Sequence, residues 1–324
     1  MAQRIGKYKI SKRESEVSIR DGGTVEGALT VTGATTLSST LTRLQPETLC
    51  DWNYIDSPAP LVSFFGSSAA DVLADGDQFS IVWPKANGGT PCFSTAYSVG
   101  AFTVAGTVPT VIGTIPATDT ATTAAGLNLQ MDNASADNVG VEIIFGGNAL
   151  GTGQGITVGT HSATFDATFQ CPDWSDFDNV SIGFRKLQAF QSGHGAVLAA
   201  ASGDPLYTDF VSIGSQSSED LQMATALNDG SNTFTDSTDA LTDGQNLRVK
   251  ISVTSAGVVT YEAVRNAVAG GGTLAAPSAV AAYTFDSGDV LVPYISILGT
   301  NVDDKIHLKD IKITRSPGIS YTDN

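Results

Sequence analysis

The sequence predicts an all-β fold, an antiparallel jelly-roll or β-sandwich, and three observations lead there. Apolar residues recur at alternate positions in short runs, the runs are separated by turns bearing Gly, Asn and Asp, and no segment carries a convincing helical period. Many short antiparallel strands joined by such turns close as two packed sheets. In a chain of 324 residues, 41% hydrophobic content is enough for a sizeable core. Only 15% of residues are charged, so hydroxyls and backbone must supply much of the polar surface.

In chain order, residues 1–20 come first as a basic arm. Arg4, Lys7, Lys9, Lys12, Arg13 and Arg20 against Glu14 and Glu16 give it +4, so a net charge of −16 leaves −20 on the rest of the chain. A basic arm on an acidic body suits attachment to an acidic partner surface, with Arg4, Lys7, Lys9, Lys12 and Arg13 as the anchoring residues. The alternative is a solvated tail. The acidic body argues against nucleic acid as a partner. No apolar run follows the arm, so it does not read as a secretory signal, and no stretch has membrane-spanning length.

Residues 21–45 form a second segment, containing "GALTVTGATTLSSTL" (27–41). Leu29, Val31, Leu37 and Leu41 recur among hydroxyls and glycines. Ordering its backbone costs about 1–2 kcal/mol per residue, more than one or two buried aliphatics per turn return. Three copies could share an apolar axis and satisfy one another's strand edges, which makes these four residues the oligomerisation candidates and a homotrimer the expected state. A flexible linker has the same composition.

Residues 46–324 form the sandwich domain. "NLRVKISVT" (246–254) puts Leu247, Val249, Ile251 and Val253 on one face and Arg248, Lys250 and Ser252 on the other. "VSIGF" (180–184) and "TFDATF" (164–169) alternate in the same way. "TSAGV" (254–258) reads as the turn of a hairpin to 258–264. In "KIHLKDIKIT" (305–314), Ile306 and Leu308 share one parity while Ile311 and Ile313 take the other. A β-bulge at Lys309–Asp310 would bring all four to the same face. "SSAADVLADG" (67–76) has the composition for one short helical turn. The tracts 114–126 and 266–279 read as exposed loops.

The segment "LTVTGATTLSSTL" (29–41) resembles the short repeats of bacteriophage tail fibres, head fibres and other virion appendages. The body, through "VSIGFRK" (180–186), "LTDGQNLRVKISVTSAGVVTYEA" (241–263), "VLVPYISIL" (290–298) and "IHLKDIKI" (306–313), resembles the concanavalin A-like jelly rolls of viral structural proteins. The resemblance implies a virion protein, assembled in a host cytoplasm.

Candidate chemistry is sparse. Cys50, Cys92 and Cys171 lack zinc-site spacing and a disulfide framework, so three buried thiols are expected. Glycoside hydrolysis needs two facing carboxylates, whereas Glu142, Asp166 and Glu262 each stand singly in their strands. His307 alternates outward between Ile306 and Leu308 and reads as a surface residue. No cofactor is expected. Calcium is the metal candidate, at Asp173, Asp176 and Asp178. For a glycan, the stacking candidates are Trp52 and Tyr54 in "DWNYID" (51–56), against the alternative that the tryptophans fill the core.

Two expectations follow. The first is a non-enzymatic capsid decoration or cement protein, held to the major capsid protein or another virion protein by the arm and stabilising the shell. The second is a tail-fibre or receptor-binding protein whose sandwich reads host glycans. An unattached lectin or glycan-active enzyme is a third class.

Overall fold

The computed structural model describes residues 2–5, 8–11, 46–53, 61–64, 72–84, 91–100, 102–103, 127–131, 139–145, 155–194, 206–216, 220–267, 271–299 and 304–317. The chain divides into two compact units, Met1–Thr42 and Arg43–Asn324.

In the first unit, β1 (Ala2–Ile5) and β2 (Tyr8–Ser11) pair antiparallel. The register sets Arg4 opposite Lys9, Ile5 opposite Tyr8 and Gln3 opposite Ile10. Lys7, Lys12 and Arg13 lie outside the described residues, as do Leu29, Val31, Leu37 and Leu41.

The second unit is an antiparallel sandwich of two packed sheets. Its strands are β3 (Glu47–Asn53), β4 (Leu61–Phe64), β5 (Val72–Leu73), β6 (Gln78–Trp83), β7 (Cys92–Val99), β8 (Phe102–Thr103), β9 (Leu127–Met131), β10 (Val139–Phe145), β11 (Ile156–Thr157), β12 (His161–Gln170), β13 (Phe177–Lys186), β14 (Phe210–Gln216), β15 (Asp220–Ala226), β16 (Thr233–Ala240), β17 (Asn246–Val253), β18 (Val259–Arg265), β19 (Val290–Gly299) and β20 (Asp304–Pro317). One sheet has ten strands among the described residues, in the order β16-β15-β14-β13-β19-β10-β7-β6-β4, with β11 also on β19. The other has six, β18-β17-β12-β20-β3, with β9 pairing the first part of β20 and β3 the second. β5 and β8 form a separate short pair.

Alternation builds the core between the sheets. Along β17, Leu247, Val249, Ile251 and Val253 are buried while the intervening residues are partly exposed. Phe145 of β10, Phe165 of β12 and Phe184 of β13 meet edge to face, with centroids 5.8 Å and 6.3 Å apart. Trp52 of β3 meets Trp83 of β6 at 5.1 Å. Each fully buried side chain of this size contributes about 1.5–3 kcal/mol.

The irregularity expected in the last strand is present. Thr168 pairs with Asp310 and Phe169 with Leu308, so Lys309 is the inserted residue. Ile306, Leu308, Ile311 and Ile313 are all buried in the core as a result. The hairpin at 254–258 also forms, β17 to β18, with Gly257 at φ 84°. A Cβ there would lie 2.2 Å from the Phe285 carbonyl oxygen, so close approach as well as dihedral demands glycine.

Two expectations need correction. Cys50 of β3 and Cys92 of β7 are joined as a disulfide between the two sheets, with Cα atoms 5.3 Å apart, and Cys171 is a buried thiol outside that bond. Their separation of 42 residues carries no signal of that proximity. His307 is fully buried, because the outer side of the six-stranded sheet is covered at that point. Of 67–76, residues 67–71 lie outside the described residues, while Val72–Leu73 is strand and Asp75–Gly76 a turn.

The central strands of the ten-stranded sheet are buried on both faces: every residue of β10 is buried, and nearly every one of β13 and β19. The inner face meets the core. The outer face is overlaid by 187–194 and 206–209, and the polar residues concentrate there.

Candidate functional site

On the outer face, register aligns Tyr97 (β7), Glu142 (β10), Ser296 (β19) and Ser181 (β13) as a row across four strands. Arg185 lies further along β13, on the same face as Ser181 and Gly183. Glu142 and Arg185 are both fully buried and form an ion pair, 2.9 Å from Nη2 to Oε1, with Nε donating to the same oxygen at 3.2 Å. Tyr207 donates its hydroxyl to Glu142 Oε1 at 2.9 Å, and the Arg185 guanidinium lies 4.0 Å from the centre of the Tyr207 ring. Burial raises the Glu142 pKa, with Arg185 and Tyr207 opposing. The pair is therefore held by geometry that satisfies each charge several times, as a buried pair must be.

These groups also fasten the overlying chain. Arg185 Nη1 donates to the carbonyls of Lys186 and Gln188, at 3.1 Å and 3.3 Å. The Gln191 amide donates to Tyr207 Oη at 3.1 Å. The Thr208 amide donates to Gln188 Oε1 at 3.0 Å. Lys186 bridges Asp209 and Asp289, at 3.3 Å and 2.7 Å. Phe190, between Gln188 and Gln191, is thereby laid on Tyr97, the rings nearly parallel at 4° with centroids 4.6 Å apart. Both rings are half-buried. Gln78 Nε2 reaches Tyr97 Oη at 3.4 Å, and a Cβ on Gly76 would lie 4.0 Å from Phe190 Cε1, so the turn at Asp75–Gly76 borders the ring.

His194 closes the deeper end. Its ring is buried among Tyr207 (4.4 Å), Phe210 (4.8 Å) and Tyr294 (6.2 Å). Neither ring nitrogen has a hydrogen-bond partner among the described residues. Burial, with the Arg185 charge adding, lowers its pKa to about 3, so it stays neutral.

Glu142 has no second carboxylate at its neighbouring register positions, which hold Tyr97 and Ser296. The paired carboxylates that glycoside hydrolysis uses are not assembled there. The other lone acids sit in cross-strand ion pairs on the six-stranded sheet: Asp166 with Arg248 at 2.7 Å, and Glu262 with Lys250 at 2.5 Å. His161 accepts from the Thr157 amide at 3.0 Å.

Of the residues singled out from sequence, Trp52 is 1% exposed and part of the core, so it offers no stacking floor. Tyr54 lies outside the described residues. Asp173 caps a 3-10 turn, Trp174–Asp176, accepting from the Ser175 amide at 3.0 Å and hydroxyl at 2.7 Å. Asp178 lies in β13, and the side chain of Asp176 is outside the described set. Among the described residues no group of three or more His, Cys, Asp or Glu is placed to hold a metal ion. The Tyr97–Phe190 pair was missed. Outward parity in "CFSTAYSV" could have marked Tyr97, but nothing local shows Phe190 folding back onto it.

No protein-family model matches the chain, nor does any curated protein sequence. Solved structures with some likeness include peanut lectin (14% identity, TM-score 0.40, over 61% of this chain and 90% of that one). The Lotus tetragonolobus seed lectin is 9% identical, with TM-score 0.39 over 81% of this chain and 100% of that one. An alginate lyase from Pseudomonas aeruginosa is 11% identical, with TM-score 0.36 over 58% and 82%.

Proposed function

We propose that this chain is a non-enzymatic structural protein of a bacteriophage particle, a decoration or cement protein that attaches to the capsid through its N-terminal arm and stabilises the shell. The observation that carries the reading is the division of charge between the parts of the chain. The arm of residues 1–20 has +4 and the rest −20, and the arm lies within the first of the two compact units. The virion-repeat resemblance of residues 29–41 supports the same reading and a trimeric state.

The mechanism is mechanical. A packed genome presses outward, and a protein bound across subunit boundaries adds interface that must break before the shell opens. Deletion of residues 1–20 is expected to leave the sandwich folded by circular dichroism and to abolish co-sedimentation with particles lacking the protein. Undiminished occupancy by the truncated chain would end the anchoring role.

The second reading, a receptor-binding protein of the tail, is favoured by the half-exposed Tyr97–Phe190 pair. In that case the purified full chain competes with phage for adsorption to host cells, which a decoration protein does not do.

A further inference from the structure

We infer that the Tyr97–Phe190 pair is the floor of a binding site for a neutral hexose oligosaccharide, built on the outer face of the ten-stranded sheet. The inference deepens the glycan-reading alternative by naming its site and ligand class, and it holds wherever the chain sits on a particle.

The argument starts from the support. An aromatic side chain on a loop ordinarily loses much of a ligand's binding energy to its own ordering. Here the loop is fixed from beneath. Arg185 takes the Gln188 carbonyl, Tyr207 takes the Gln191 amide, and both are clamped by Glu142. Phe190 lies between those two anchor points and rests on Tyr97. Burying a charged pair costs free energy, and this one holds an aromatic ring in a single orientation at a partly open surface. That is the arrangement a preformed stacking site requires. His194, wholly buried at the deeper end of the same cluster, packs against Tyr207, Phe210 and Tyr294 and so steadies the aromatic support from below.

The ligand class follows from the surrounding chemistry. A sugar ring offers an apolar C–H face to an aromatic and hydroxyls to its rim. At the rim stand exposed Gln78, the Tyr97 hydroxyl, and the exposed carboxylates of Asp75 and Asp77 in the bordering turn. Asp75 accepts from the Gly100 amide at 2.9 Å and Asp77 from the Ala74 amide at 2.7 Å, so both are fixed in place. The cation of the cluster, Arg185, is neutralised by Glu142. A carboxylated or sulfated sugar would meet two carboxylates and a body carrying −20, so the site selects neutral rings.

The test uses the full-length chain with cellohexaose, maltohexaose, mannohexaose and, as the acidic comparison, hexagalacturonate. Binding is read by calorimetry and by saturation-transfer NMR. At least one neutral hexaose is expected to bind with Kd of about 1 mM or tighter. Phe190→Ala is expected to weaken it about tenfold or more, the scale of one aromatic contact. Gln78→Ala, at the exposed rim, is expected to weaken it by a smaller factor, and thermal melts check that each variant is folded. Binding by the wild type that is unchanged in Phe190→Ala overturns this site while leaving glycan recognition standing. Absence of binding to all neutral hexaoses at 10 mM, roughly ten times the weakest Kd expected, overturns both. Tighter binding of hexagalacturonate than of every neutral probe overturns the ligand class.

Discussion

At the residue scale, His194 shows how a sequence reading and a structure can part. From the sequence it is one of three histidines with no suggestive neighbour. In the fold it is enclosed by Tyr207, Phe210 and Tyr294, and its pKa falls to about 3 through burial, with the nearby Arg185 charge adding to the effect. The unfolded chain binds that proton from about pH 6.5 downward, whereas the folded chain refuses it until about pH 3. The histidine's contribution to stability is therefore whole above pH 6.5 and is lost as pH falls through that window. One proton taken up on unfolding gives a slope of about 1.4 kcal/mol per pH unit. His194→Phe fills the same apolar site without a titrating group. Urea unfolding at pH 7 and pH 4.5 is expected to show a smaller loss on acidification for His194→Phe than for the wild type. Equal losses would mean the imidazole is hydrated or protonated in the folded state.

At the element scale, what was legible was parity. The alternation in 164–169, 180–184 and 246–254 named inward residues that are all buried, and the conflict of parity within 305–314 located the bulge. Parity is a property of the backbone pleat, so it survives without tertiary information. What it cannot report is whether the outward face meets water. His307 has the outward parity and reads as a surface residue, yet it is buried, as are Arg185 and Glu142 on the outer face of the ten-stranded sheet. The stacking of Phe190 on Tyr97 and the approach of Cys50 to Cys92 were illegible for the same reason, since each joins residues that only the closed topology brings together. The bulge itself can be tested. Deleting Lys309 puts Ile306, Leu308, Ile311 and Ile313 on one parity, so a straight strand keeps all four inward and the bulge is no longer required. Lys309→Ala keeps the residue count and with it the bulge. The deletion variant is expected to fold with a urea midpoint close to that of Lys309→Ala. Severe destabilisation of the deletion variant alone would mean that the inserted residue does more than reconcile the two parities.

At the scale of the whole molecule, the two sheets are held together by two different means. The aromatic core joins them without direction, while the Cys50–Cys92 bond fixes β3 to β7 at one place, beside Trp52 and Trp83. Closing a loop of 42 residues restricts the unfolded chain by about 4 kcal/mol on the chain-entropy view. A chain made in a reducing cytosol would fold on its core alone and gain the crosslink only on reaching an oxidising medium, as a particle released from a cell does. Two consequences can be measured. Under denaturing, non-reducing conditions alkylation is expected to label one thiol, Cys171, and after reduction all three. The reduced chain is expected to remain folded, because the core does not depend on the bond, and to unfold at a lower urea midpoint, with Cys50→Ala matching the reduced wild type. Three thiols labelled in protein recovered from an oxidising medium would show that the sheets are held by packing alone.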